Sequence, residues 1–196
     1  MNFVEPIRDR KQIAHVKNLL KGQGRFRDLL LFVVGINTAL RISDLLTLRI
    51  GDFFDEQGDV RSRFWIREEK RGKRQEVVIN ESSQEALDLY LAAYPEVANA
   101  SQHFVFFKLE PMRDYTQAIK RGQAWKLLSA ICHEAGLRGN FGTHSLRKTW
   151  GYHARMNGVD LALIMHKLNH SSLAYTKRYL GITDEELQDV VRRLNL

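Results

Sequence analysis

Residues 144–179 read HSLRKTWGYHARMNGVDLALIMHKLNHSSLAYTKRY, and this stretch decides the interpretation of the chain. His144 and Arg147 stand at i,i+3 spacing, which puts them on one face of a helix. His170 precedes Ser171 and Ser172, either of which can cap a helix leading to Tyr179. These residue types suit the stabilisation of a phosphate under attack by a phenol. A phenol has an unperturbed pKa of about 10 and needs a base or electrostatic help to act as nucleophile. Charge developing on the phosphoryl oxygens needs preorganised cations. The planar fork of arginine matches two such oxygens. A lysine on a flexible stem can protonate the leaving oxygen. Each fragment alone also has a plainer reading: HSLR as a capped helix start with an exposed arginine, His170 as a solvated histidine, Tyr179 as packing.

Composition agrees with an anionic partner. The 196 residues carry 30 Lys+Arg against 23 Asp+Glu, a net charge of +7, which favours a polyanion, most often nucleic acid. The length suits one domain of ordinary size. With 44% hydrophobic and 27% charged residues the chain has the balance of a globular protein. No repeat, low-complexity run or linker divides it. The single cysteine, Cys132, has no internal disulfide partner, which favours a reduced, cytoplasmic setting. Its neighbours His133 and Glu134 do not converge with it on one point of a helix, so no metal is expected there. Asp52, Asp55 and Asp59 around Gly58 do not match a calcium loop. The longest apolar stretch, 29–40, is too short to span a bilayer.

The periodicity predicts mostly helix. Residues 9–21 and 26–39 carry helical spacing, the first ending at Gly22 and Gly24. Ser43 is expected to cap a short helix through Leu48. FWI at 64–66 and EVVI at 76–79 flank a basic tip, EKRGKR, and predict a small antiparallel hairpin. Ser82 or Ser83 is expected to open a helix to about Tyr94, before Pro95. FVFF at 104–107 is expected to be extended. From about Thr116 the pattern is helical, with breaks near 136–142, 158 and 181. Thr183 and Glu186 form a capping-box pattern, and Leu187, Val190, Val191 and Leu194 make an apolar stripe.

The set of fragments resembles the catalytic domain of the tyrosine recombinases, the phage integrase family, from about residue 7 to 181. TALRISDLLTLRIGDF at 38–53 is similar to the segment with the family's first catalytic arginine, EKRGKRQEVVI at 69–79 to its β-hairpin, and 144–179 to its last block. The resemblance implies Arg41, Lys70, His144, Arg147, His170 and Tyr179 as catalytic residues. It implies a mostly α fold with a small antiparallel β-sheet (α+β), a catalytic domain over 1–181, and a C-terminal amphipathic helix over 182–196 that is exchanged between protomers. It further implies strand cleavage and rejoining through a 3′-phosphotyrosyl link, with no cofactor and no metal. Double-stranded DNA is the expected partner, with a homotetramer on DNA, a monomer without it, and accessory DNA-bending proteins. Arg49, Arg71, Lys73, Arg74 and Lys148 are candidate DNA contacts.

Several alternatives stay open. Tyr175 competes with Tyr179 as nucleophile and Lys73 with Lys70 as acid. The chain starts where the family's catalytic domain starts, so a fragment or a naturally short recombinase is expected. Asn169 stands where the family usually has glycine, and asparagine tolerates positive φ. Lys148 replaces a common histidine, and Val78 a common proline. The rival functions are relaxation of DNA in the manner of a type IB topoisomerase, and a DNA-binding accessory role without catalysis.

Overall fold

The computed structural model describes residues 4–70, 72–182, 188, 192 and 194. The chain divides within one helix into two compact units, Met1–Trp150 and Gly151–Leu196.

The first unit is built around α2 (Phe26–Thr38), whose run Leu29–Val34 is buried on every side. A helix apolar all round must be enclosed. α1 (Arg10–Gly22) supplies Val16 and Leu20, and α5 (Glu81–Ala93) supplies Ala86, Leu87 and Tyr90. α6 (Arg121–Glu134) adds Ala124, Leu128 and Ile131 to the same core. Each fully buried leucine or isoleucine contributes about 1.5–3 kcal/mol of transfer free energy. One polar group is satisfied in this interior by Tyr90, whose hydroxyl donates to the Val105 carbonyl at 2.7 Å.

Helix starts follow side-chain oxygens, not always those expected. Asp9 caps α1 by accepting from the Lys11 amide at 2.8 Å. Asn80, rather than Ser82 or Ser83, caps α5 by accepting from the Ser83 amide at 3.0 Å. α3 (Ile42–Leu46) has Arg41 as its N-cap, two residues before Ser43 and without a side-chain cap bond, and stops at Leu46. A separate turn, α4 (Ile50–Phe53), follows.

Two antiparallel ladders are present where one was expected. β1 (Arg63–Arg67) pairs with β2 (Arg74–Val78), with Trp65 opposite Glu76. β3 (Phe107–Lys108) pairs with β4 (Asp114–Ala118), so the helical pattern expected from Thr116 starts only at Arg121. The backbone explains this. Phe104 N donates to Tyr115 O at 2.8 Å and Ile119 N to Phe106 O at 2.9 Å, so residues 115–119 are taken up by the buried 104–107 run. Asp114 also accepts from the Thr116 amide and hydroxyl, which favours a turn over a helix. α7 (Thr143–Met156) then carries the HSLR segment.

The second unit holds the end of α7, α8 (Leu161–Lys167) and α9 (Leu173–Leu180). Leu180 packs so close to Gly151 that a Cβ there would meet its Cδ2 at 2.8 Å. The amphipathic helix expected beyond 182 lies for most of its length outside the described residues. Among the described residues no helix is long and apolar enough to cross a membrane.

Candidate active site

Within the first unit, the end of α2 positions Arg41. Ala39 takes a left-handed conformation, φ 58°, and turns the chain sharply. Its carbonyl accepts a 2.6 Å hydrogen bond from the guanidinium of Arg147, which is 3% exposed. The two arginines of the sequence motif, far apart in the chain, are thereby tied to one turn. The close approach of α7 that makes this possible depends on Gly35 of α2, where a Cβ would lie 2.4 Å from Leu146 Cδ1.

Arg41 is held by carboxylates that the sequence reading did not single out. Its guanidinium pairs with Glu68, whose side chain is fully buried at the end of β1, and lies 4.0 Å from the Asp44 carboxylate. Asp44 in turn accepts from the Glu69 amide at 2.9 Å, fixing the root of the hairpin that carries Lys70. Burial pushes the Asp44 carboxyl above the usual range. The Glu69 amide, Arg41 and Arg147 oppose that push, and Glu68 adds to it. The visible signal was the Glu-Glu pair at 68–69 beside Lys70. Its burial was not visible.

Lys70 sits exposed in the turn between β1 and β2, which is closed by Glu68 N to Lys73 O and Gly72 N to Glu68 O, both 2.8 Å. Gly72 has φ 63°, which an L side chain adopts with strain. Lys73 is equally exposed at this tip, and Arg71 lies outside the described residues. His144 is exposed in the first turn of α7, behind the Gly142 amide that donates to Ser145 Oγ at 3.1 Å. Partial desolvation of the ring, and then the charges of Arg121, Arg147, Lys148 and Arg41, hold its imidazole below the ordinary value. The lowered value favours the neutral ring at physiological pH.

Within the second unit the structure brings His170 and Tyr179 into contact. Asn169 has φ 47°, the left-handed turn that the substitution for glycine was expected to allow. His170 N closes the end of α8 on Met165 O at 3.0 Å. Ser172 caps α9 through the Tyr175 amide at 3.2 Å, as one of the two expected serines. His170 Nδ1 lies 3.1 Å from Thr176 Oγ1, which orients the ring. The imidazole then meets Tyr179 at 4.9 Å and Tyr175 at 4.6 Å between ring centroids. Tyr179 is half-buried and Tyr175 is 49% exposed. Gly181, φ 71°, ends the helix directly after Leu180.

Two candidate DNA contacts have partners within the protein. Lys148 is buried rather than displayed, and its ammonium donates to the Val4 carbonyl at 3.0 Å. Burial lowers its pKa to about 8 despite the nearby Glu5 carboxylate. The guanidinium of Arg49 donates to the Gln102 carbonyl and stacks 4.1 Å from the Phe104 ring centroid, while the residue itself stays exposed. Arg74 lies 4.4 Å over Trp65 on the exposed face of the hairpin. Among the described residues no three His, Cys, Asp or Glu side chains are grouped to hold a metal ion.

The sequence profile of the phage integrase family matches residues 9–186, and the chain belongs to that family, the class of tyrosine-type recombinases. Among its relatives, "Probable integrase/recombinase YoeC" of Bacillus subtilis is 35% identical, over 94% of this chain and 93% of that protein. "Tyrosine recombinase XerA" of Pyrococcus furiosus is 27% identical, over 92% of this chain and 60% of that protein. The fold matches a crystal structure of XerA recombinase with a TM-score of 0.73 at 21% identity, over 100% of this chain and 66% of that one. It also matches XerH bound to a palindromic difH substrate in a post-cleavage complex, with a TM-score of 0.73 at 20% identity, over 96% of this chain and 52% of that one. The chain thus spans nearly all of YoeC but only 60% of the XerA relative.

Proposed function

We propose that this protein cleaves and rejoins duplex DNA at specific sites through a 3′-phosphotyrosyl intermediate. Tyr179 Oη attacks the scissile phosphorus and the bond to the 5′ oxygen breaks. Arg41 and Arg147 neutralise the non-bridging oxygens, and His170 donates a further hydrogen bond to them. His144 takes the phenol proton, and Lys70 gives a proton to the leaving 5′ oxygen. A free 5′ hydroxyl of a partner strand then attacks the phosphotyrosine, which restores Tyr179 and exchanges the strands. The phosphodiester energy is kept in the covalent link throughout.

The observation that carries this reading is the tie between Arg147 and the Ala39 carbonyl, which brings the second arginine to the turn that presents Arg41. Paired guanidinium groups beside a neutral histidine suit a pentacoordinate phosphate. His170 meets both Tyr179 and Tyr175 edge-on, and the family spacing from His170 favours Tyr179 as the nucleophile. The DNA complexes among the structural neighbours support duplex DNA as partner. On DNA we propose a ring of four protomers, aided by accessory DNA-bending proteins, with the segment after 182 passing between neighbours. The setting is the cytoplasm.

The test is covalent trapping on nicked duplexes tiled across the DNA that flanks the gene. Wild type is expected to form a denaturation-resistant adduct, and Tyr179→Phe none. An adduct kept by Tyr179→Phe would move the nucleophile to another residue, Tyr175 first. Salt-sensitive binding without any adduct would favour the accessory role. Adducts that relax supercoils but never exchange two sites would favour topoisomerase-like action.

A further inference from the structure

Beside His144 the first unit opens a cleft of about 390 Å³, lined by Val4, Arg121, Gly122, Trp125, Thr143 and His144. None of these side chains is a carboxylate. Arg121 is the first residue of α6 and its side chain is exposed. Trp125 follows one turn later, so both lie on one face of the helix. The indole is 47% exposed and forms one wall of the cleft. It is also held in place: a Cβ at Gly142 would lie 2.7 Å from Trp125 Nε1, so the glycine before α7 makes room for the ring. Arg121 is one of four cations whose charge reaches His144. A cleft with one exposed guanidinium, one fixed aromatic wall and no opposing carboxylate is matched to an anionic group joined to an apolar one. A nucleotide unit of a duplex backbone has that chemistry: its phosphate pairs with the arginine fork, and its deoxyribose covers the ring.

We propose that the cleft formed by Arg121, Trp125 and His144 seats a non-scissile phosphate of the DNA backbone together with its deoxyribose. The proposal rests on the recombinase reading above. The phosphate on Arg121 sets the register of the strand alongside His144, so the cleft serves positioning and not bond breaking. No base edge is read there, and the contact is independent of sequence.

Binding, not cleavage, tests it. The full chain carries 5-fluorotryptophan at its three tryptophans, and the Trp125 resonance is assigned with Trp125→Phe. A mixed-sequence duplex is titrated at several salt concentrations into wild type, Arg121→Gln and Lys126→Gln, an exposed cation of α6 that does not line the cleft. Arg121→Gln is expected to bind about tenfold more weakly, with the slope of log K against log salt reduced by about one. Lys126→Gln should do less. The Trp125 resonance should move on adding DNA to wild type and stay in Arg121→Gln. If Arg121→Gln loses no more than Lys126→Gln, the site is overturned. A reduced slope with an unmoved Trp125 resonance makes Arg121 an ordinary surface contact and overturns it as well. A wild-type protein that binds no DNA at all overturns the recombinase reading, and this site with it.

Discussion

At the scale of single residues the site is governed by how each cation is held. Neutral His144 gives a pH signature. If His144 is the base, as proposed, the rate of adduct formation is expected to fall on acidification with a midpoint below pH 6.5, because protonation would remove the base and the ring resists it. His144→Asn should abolish that limb. A midpoint at or above pH 6.5 in single-turnover rates contradicts the assignment. Lys148 gives a second signature, in stability. Its folded pKa of about 8 lies under the ordinary 10.5, so between these values the unfolded chain binds the proton that the folded one has released. Stability from this group therefore rises with pH across that window. Replacing it by methionine should flatten the difference in melting temperature between pH 8 and pH 10.5 relative to wild type. An unchanged difference contradicts burial of an ionisable amine at Val4.

At the scale of elements, the placement of α7 on α2 decides where Arg147 arrives. Alanine at Gly35 gains about 1 kcal/mol of helix propensity. Against that, its Cβ runs into Leu146 Cδ1 at 2.4 Å, and overpacking of a core costs about 1–3 kcal/mol. The expected net result in urea melts is destabilisation with slower adduct formation, relieved in part by Leu146→Ala in the same chain. Gly35→Ala that stabilises the protein contradicts the close approach. Elements whose determinants are local were legible from the sequence: the buried run of α2, the basic hairpin, the Ser172 cap and the left-handed turn at Asn169. Those fixed by remote partners were not. β4 was read as helix because its partners, the backbone groups of 104–107, lie outside its own window. Lys148 stands among the expected DNA contacts because nothing near it in sequence announces that Val4 crosses over its ammonium. Glu68 and Asp44 escaped notice for the same reason, since a carboxylate acquires its role toward Arg41 only when the hairpin folds back onto α3.

At the scale of the whole molecule, a net charge of +7 sets the expected mode of association. Binding to duplex DNA should weaken linearly in log K against log salt, with a slope of about −0.9 for each phosphate neutralised. A slope near zero in fluorescence anisotropy contradicts a backbone-led encounter. The chain covers 93% of YoeC and 60% of XerA, so the matched region occurs in relatives of different length. Tyr179 is the residue proposed to become joined to DNA. Cleavage by trypsin after Lys167, Lys177 and Arg178 places Tyr175 in the peptide 168–177 and Tyr179 in the peptide 179–192. Mass spectrometry of a trapped, nuclease-trimmed adduct therefore separates the two tyrosines without any substitution. The phosphonucleotide mass is expected on peptide 179–192. Its appearance on peptide 168–177 would make Tyr175, not Tyr179, the nucleophile.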